Sequence, residues 1–492
     1  MTFDPFNAST LLAVLPEFLL VVLAGLVMVQ DLVWPESRKR ALGLTTAVGF
    51  GVIIAVALAV SRPAADAEHA LIFGGMLRDD GFSFFFRILF LISGLIVALV
   101  SLDSDGVGHK GEYFAILIGA VFGMNFMASA ADLIMLYLAI ETTSIALYLL
   151  AGYLRDNDKS AESGLKYFLF GAFTSTVMLY GFSLLYGFTG QTNLYELAGV
   201  LTSGTVSTPA ILLTLMLVLV GFGFKISMVP LHFWAPDVYE GAPSPVTGFI
   251  STASKAAGFA VLLRVFLAVF PNVESYWVSL VIAIAIATMT LGNTIALAQK
   301  NIKRLLAYSS IAQAGYVLIG LAAASPQGLA GVIYYLAMYI FTNLAAFGCI
   351  VLVYRATGSD EIADYAGLSR RAPGLALVFL VAFLSLSGMP PFGGFFGKFF
   401  VFAAAIQQGV AQQNNALIWL VAIGVVNAIV GLYYYLTVLK VVYLYPPKVE
   451  TKIEVPRAYA VALWACVIGI VVLGTWATPW IGWATQAAGG LF

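Results

Sequence analysis

The sequence predicts an all-α transmembrane protein of about fourteen spanning helices, with two inverted five-helix repeats at its centre. Three observations predict it: a composition too apolar for a water-facing surface, fourteen separate apolar runs of bilayer length, and basic residues confined to one set of connections. Of 492 residues, 61% are hydrophobic and only 10% are charged, and the mean hydropathy is +0.96. Soluble domains carry about 25% charged residues, so this chain cannot build a soluble exterior. The same figures exclude a secreted disulfide scaffold and a disordered chain. A formal net charge of −1 leaves no basic field for nucleic acid.

A helix crosses a bilayer with about 20 apolar residues. Runs of that size lie near 9–30, 41–60, 82–101, 113–130, 132–153, 165–188, 209–229, 246–269, 276–298, 303–323, 328–354, 374–407, 415–440 and 458–479, numbered spans 1 to 14 in that order. A membrane β-barrel would alternate with period two in segments of about ten residues; these runs are longer and apolar all round. Span 1 reads as a retained helix, because residues 1–8 lack Lys and Arg and no small-residue cleavage pattern follows.

Sixteen Lys and Arg residues, from Arg38 to Arg457, follow odd-numbered spans, whereas only Arg62 and Arg78 follow even-numbered ones. Positive charge stays on the cytoplasmic side, so odd connections face the cytoplasm and both termini face outward. One span more or fewer would scramble this segregation. The longest connections, roughly 61–81, 189–208 and 355–373, are too short for a soluble domain. No phosphate-cradling glycine pattern opens a helix, which argues against ATP-driven transport and NAD binding in this chain.

Spans 7 and 12 are interrupted by proline. Ser227 and Pro230 in the first recur as Ser387 and Pro390 in the second, both 160 residues on. Spans 4 and 9 start at nearly the same offset, which points to a duplication. The expected division is 1–112 (spans 1–3), 113–270 (spans 4–8, first repeat), 271–440 (spans 9–13, second repeat) and 441–492 (span 14). Five is odd, so the copies insert in opposite senses. Broken helices at matching places in inverted repeats point to a midplane transport site.

Spans carry the charged residues Glu17, Arg87, Glu141, Lys166, Lys225, Lys255, Arg264 and Lys398. Glu17, Arg87, Lys166 and Arg264 lie within about two turns of an end, where anchoring or a structural pair accounts for them. Glu141, Lys225, Lys255 and Lys398 lie deeper, at a cost on the order of 10–14 kcal/mol together on insertion scales. One pair would suffice for cohesion, so four argue for function. Lysine can lose its proton when desolvated, and arginine does not deprotonate in proteins; deep lysines therefore favour proton transfer over simple pairing. His232, at the break in span 7, can bridge such groups near neutral pH. Cys349 and Cys466 sit in apolar runs with no CxxC spacing and read as small core residues. Three histidines and two cysteines are too few for haem or an iron–sulfur cluster. No metal site is expected.

The segment from Met228-Val229-Pro230-Leu231-His232-Phe233-Trp234-Ala235-Pro236-Asp237 to Gly241-Ala242-Pro243-Ser244-Pro245-Val246 resembles the antiporter-like membrane subunits of respiratory complex I. Ser254-Lys255-Ala256-Ala257-Gly258, Lys300-Asn301-Ile302-Lys303-Arg304 and Gly388-Met389-Pro390-Pro391-Phe392-Gly393-Gly394 extend the resemblance over about residues 10–440. It implies fourteen helices with inverted repeats and one proton channel of a redox-driven pump. It also implies roles: Glu141 as the span 5 glutamate paired with Lys225, Lys166 as the lysine near that pair, Lys255 as the central lysine, and Lys398 as the lysine leading outward. Lys398 argues against the subunit M branch, which has glutamate there, and the end at Phe492 argues against the subunit L branch with its long lateral helix; the motifs favour subunit N. The resemblance implies no cofactor in this chain, with NAD, FMN, iron–sulfur clusters and quinone elsewhere in the host complex. It implies subunit M, the small membrane subunits and the bilayer as partners, without nucleic acid, in a bacterial cytoplasmic (inner) membrane. A cation/proton antiporter of the Mrp type and a structural spacer that moves no ions are the other readings. Sodium-dependent flux would identify the first, and indifference of pumping to loss of Glu141 and Lys225 the second.

Overall fold

The computed structural model describes residues 8–63, 70–104, 106–448 and 451–491. Among them, fourteen helices are long and apolar enough to cross a membrane. Spans 1–3 are Leu15–Val33, Arg40–Val60 and Gly81–Ser101. Spans 4–8 are Gly111–Ser129, Leu133–Ala151, Asp158–Thr189, Thr208–Ile226 and Ser244–Val269. Spans 9–11 are Pro271–Ala296, Ile302–Ala322 and Pro326–Thr357; span 12 is split into Pro373–Ser387 and Gly393–Ala411; spans 13 and 14 are Asn415–Leu444 and Arg457–Thr475.

Local chemistry sets several of these ends. A helix leaves its first backbone N–H groups unpaired, and a short polar side chain can accept from them. Asp132 does so for span 5 and Asn301 for span 10. Asp80 and Ser83 cap span 3 reciprocally. Spans 6 and 11, each 32 residues, end on Gly190 (φ 67°) and Gly358 (φ 69°), a left-handed turn that favours glycine.

These ends recur in pairs. Leu133 N–H donates to the Thr192 carbonyl and Leu194 N–H to the Ala131 carbonyl, both at 2.9 Å, joining the start of span 5 to the segment after span 6. Ile302 N–H donates to the Asp360 carbonyl and Ile362 N–H to the Lys300 carbonyl, both at 2.8 Å, joining the start of span 10 to the segment after span 11. The corresponding residues are 168 or 169 apart, close to the spacing of the two proline breaks. The fold is an all-α transmembrane bundle in which these paired ends occur twice.

At the breaks the chain turns on Ser227 (φ 58°) and Gly388 (φ 86°), and a cis X–Pro bond lies in each, at Val229–Pro230 and Pro390–Pro391. The two breaks differ. Span 12 resumes as a second long half. Span 7 ends at Ile226, and only an eight-residue helix, Trp234–Gly241, follows. That helix carries Asp237 and Glu240 into a charged network, described below. Span 8 holds a turn of π-helix, Ile250–Ser254, immediately before Lys255; such turns mark functional sites in helices.

Elements shorter than a span escaped the sequence reading, among them the hairpin of β1 (Ala70–Ile72) and β2 (Leu77–Asp79), the helix Leu194–Thr202, and the helix Ala477–Gly489. Spans 8, 10 and 11 are enclosed on nearly every side, whereas spans 1, 2 and 13 leave wide apolar faces open. Phe18, Val48, Trp419 and Val426 lie on those faces. Burial thus concentrates on the helices that carry Lys255, Gln313 and Tyr335.

Candidate functional site

Two clusters of opposite character flank the buried lysines. At the end of the bundle where spans 6 and 10 begin, Asp237 accepts from Lys166 at 2.6 Å and from Arg304 at 2.9 Å. Glu240 accepts from Lys159 at 2.9 Å and from Arg304 at 3.0 Å. Burial pushes both carboxyls up, but the hydrogen bonds and charges of Lys166, Lys159 and Arg304 outweigh it and hold both below their usual values. This places Lys166 differently from the sequence expectation. Its ammonium bonds Asp237 and Glu162, both at 2.6 Å, in a half-exposed network, not beside Glu141 and Lys225. Two acidic residues within reach of a long, flexible side chain determine where it goes.

At the opposite end, the residues read from sequence as anchors form buried pairs. Arg87 Nε lies 2.8 Å from Glu17 Oε1. Arg264 donates to both Asp80 oxygens, at 3.0 and 3.1 Å, and to the Ala128 carbonyl at 2.8 Å. Arg78 lies 3.2 Å from Asp80. Asp79, on β2, is pushed up to about 6 by burial, with Asp80 and Glu17 adding to the rise and Arg87 opposing it. A carboxyl raised on folding binds more protons folded than unfolded, so it adds stability as pH falls through about 6 and withholds it above. Asp79→Asn is therefore expected to raise the melting temperature at pH 7.5, by less at pH 5, and hardly at all below about pH 4, the unfolded carboxyl's own range. An equal shift throughout would show that Asp79 titrates normally.

Between these clusters lie the deep residues. Lys225 is 4% exposed, Lys255 2% and Lys398 7%, and none of the three has a carboxylate oxygen within 4.0 Å among the described residues. Lys225 donates to Ser144 Oγ at 2.6 Å. Glu141, one turn before Ser144 on span 5, accepts from the Ser175 hydroxyl of span 6. The expected Glu141–Lys225 ion pair is thus open in this structure, and two serines stand at its ends. Lys255 donates to the Ser310 carbonyl at 3.0 Å, with its ammonium 5.9 Å from the Tyr239 ring centre. Lys398 donates to the Leu386 carbonyl at 2.7 Å, over the Tyr316 ring at 5.0 Å. That carbonyl belongs to the last turn before the break in span 12, where helical acceptors lose their partners. His232 is buried, but its Nδ1 has no hydrogen-bond partner and the three lysines bond elsewhere, so it does not bridge them.

Sequence reasoning missed the neutral members of the site. Between Lys255 and Lys398 lie Ser309, Ser310, Gln313, Tyr335 and Tyr435, all buried; Ser309, Tyr435, Gln313 and Tyr335 are joined by hydrogen bonds, and the Ser310 hydroxyl pairs with Tyr239. Neutral polar residues cost little in a helix and often bond their own backbone, so a search for charge passes over them. A glutamine in the middle of span 10 was the available signal. Cys349 and Cys466 are both buried. No group of three or more His, Cys, Asp or Glu residues that could hold a metal occurs among the described residues.

Residues 130–431 match the family described as NADH:quinone oxidoreductase/Mrp antiporter, TM. NADH-quinone oxidoreductase subunit N of Moorella thermoacetica is 42% identical over 476 residues, covering 96% of this chain and 97% of that protein. A chain of respiratory complex I from Thermus thermophilus with bound aureothin superposes with a TM-score of 0.77 at 32% identity, over 95% of this chain and 98% of that one. A chain of the Mrp complex from Dietzia sp. shares the fold, with a TM-score of 0.86 at 22% identity over 98% of both chains.

Proposed function

The chain belongs to the NADH:quinone oxidoreductase/Mrp antiporter transmembrane family, on its subunit N branch, and from that premise we propose how its buried lysines move protons. It is an antiporter-like membrane subunit of a proton-translocating NADH:quinone oxidoreductase. The observation that carries the route is three buried lysines without carboxylate partners, spread between two broken helices. An unpaired ammonium in a dry site is costly, so its proton is easily given up.

Glu141 holds Lys225 protonated when Ser144 and Ser175 release the two for direct contact. A change in a neighbouring subunit separates them, as they stand in this structure. Lys225 then passes its proton toward Lys255, and Lys255 toward Lys398 at the broken span 12, which delivers it outward. The residues titrate as one network. The functional division follows 113–270 and 271–440, with the first unit taking protons up and the second releasing them. NAD, FMN, iron–sulfur clusters and quinone are held by other subunits. The neighbours are subunit M and the small membrane subunits, the membrane is the bacterial cytoplasmic one, and both termini lie outside it.

Glu141→Gln tests the first step. It is expected to cut the proton yield per NADH while the complex assembles normally, as read by dye quenching in inside-out vesicles. Neutralising Glu141 and Lys225 together without effect on yield would favour a spacer role. Sodium-dependent flux by the isolated subunit would favour a cation antiporter.

A further inference from the structure

Gln313 is 3% exposed and lies on span 10, between the surroundings of Lys255 and those of Lys398. Its amide nitrogen donates to the Leu386 carbonyl and to the Tyr435 hydroxyl oxygen, each at 3.1 Å. Its amide oxygen accepts from the Tyr335 hydroxyl. The Leu386 carbonyl is the same atom that accepts from Lys398, at 2.7 Å. On the other side, Tyr435 bonds Ser309, whose neighbour Ser310 gives its carbonyl to Lys255. Five groups therefore connect the two lysines.

The path is hydrogen-bonded from Ser309 to Lys398 and from Ser310 to Lys255, with the main chain joining the two serines, but it does not carry a proton. A hydroxyl gives one proton and takes another, so Ser309 and Tyr435 can pass a charge along. A side-chain amide donates two N–H groups and accepts on its oxygen, without exchanging roles. A carbonyl only accepts. At Gln313 and at the Ser310 and Leu386 carbonyls the route is held by groups that transmit nothing, and the amide fills the place where water would complete its outward half.

We infer that Gln313 is the gate between the central and outward lysines, closed in this structure by its bonds to Leu386, Tyr435 and Tyr335. This rests on the proton route proposed above. In the open state the amide turns away and water, hydrogen-bonded to Tyr435 and the Leu386 carbonyl, takes its place. The Lys255 ammonium then gives one proton to a water beside the Ser309 hydroxyl and becomes a neutral amine, and the Lys398 amine gains one through the Ser309 and Tyr435 hydroxyls and the water that replaces the amide. No other bond changes. The amide's return breaks the water path before the proton can go back.

The test uses the assembled complex in liposomes, with Gln313→Ala, Gln313→Leu, Lys255→Ala and Lys398→Ala in parallel. Gln313→Ala leaves space for water and is expected to keep NADH oxidation. It should let an imposed pH gradient decay roughly tenfold faster in the idle enzyme, as follows from losing the hydrogen bonds that close the gate. Gln313→Leu keeps the volume without the polar atoms, so it should lower proton yield with no added leak. A leak from one neutral substitution and a loss of yield without leak from the other are not expected of a packing residue. Wild-type leak in the alanine variant and wild-type yield in the leucine variant, beside pumping-deficient lysine variants, overturn the gate alone. Normal pumping in Lys255→Ala and Lys398→Ala overturns the route and the gate with it.

Discussion

Replacing Lys255 with alanine is expected to remove this subunit's whole share of the proton yield while the complex still assembles. Lys255 starts the helix that follows the π-turn of span 8 and is enclosed on all sides. Its ammonium meets one carbonyl and one aromatic face, with no carboxylate. The structure therefore holds this charge at a solvation cost and gains little cohesion from it. Alanine removes that cost, so stability should fall by no more than a packing defect, on the order of 1–3 kcal/mol. Lys255→Arg separates charge from proton transfer. Arginine keeps the charge and does not deprotonate, so it should pump no better than alanine. The measurement is proton yield per NADH in reconstituted complex, beside the rate of NADH oxidation. A normal yield in the alanine variant would sink the mechanism.

Replacing Arg264 with alanine should do the reverse, harming assembly first. Its guanidinium binds Asp80 through two nitrogens and also donates to the Ala128 carbonyl. Both partners are fully enclosed, with side chains 1% and 0% exposed. Removing one member of a buried pair leaves the other uncompensated, which costs about 3–5 kcal/mol. Arg78, 3.2 Å from Asp80, offsets part of that, so about 3 kcal/mol is expected. The readouts are the amount of subunit retained in the membrane and its thermal stability in detergent. Asp80→Asn on top of Arg264→Ala removes the orphaned charge and keeps a polar helix cap, so the double variant should recover part of the loss. A single variant as stable as the parent would show the pair to be dispensable.

The contrast between Lys255 and Arg264 measures what the sequence could reveal. Both are charges in apolar helices, and both are conspicuous in a chain with 10% charged residues. Spans, their number and the two breaks were legible because each rests on a local property: run length, charge bias, proline. The lysines were legible because burying them is expensive. The partners were not, because partnership depends on how helices meet. The resemblance placed Lys166 and Lys225 at one ion pair, yet one reaches two acids near the surface and the other a serine inside. Ser144, Gln313 and Tyr435 carry no charge and break no helix, so their importance arises only when spans 5 and 7, or spans 10, 12 and 13, are brought together.

The two lysines nearest the outward path are held by main-chain oxygens, Ser310 for Lys255 and Leu386 for Lys398. A backbone acceptor is the same whatever residue supplies it, so no codon change can delete it and none can supply a compensating charge. Selection for revertants of a Lys398 defect should return lysine itself or changes that reroute water, and not a second-site partner swap. Arg264 and Asp80, each a side chain, offer the opposite case, in which a suppressor at one can rescue a lesion at the other. Inheritance thus treats the proton-carrying lysines as single positions and the structural arginine as half of a pair.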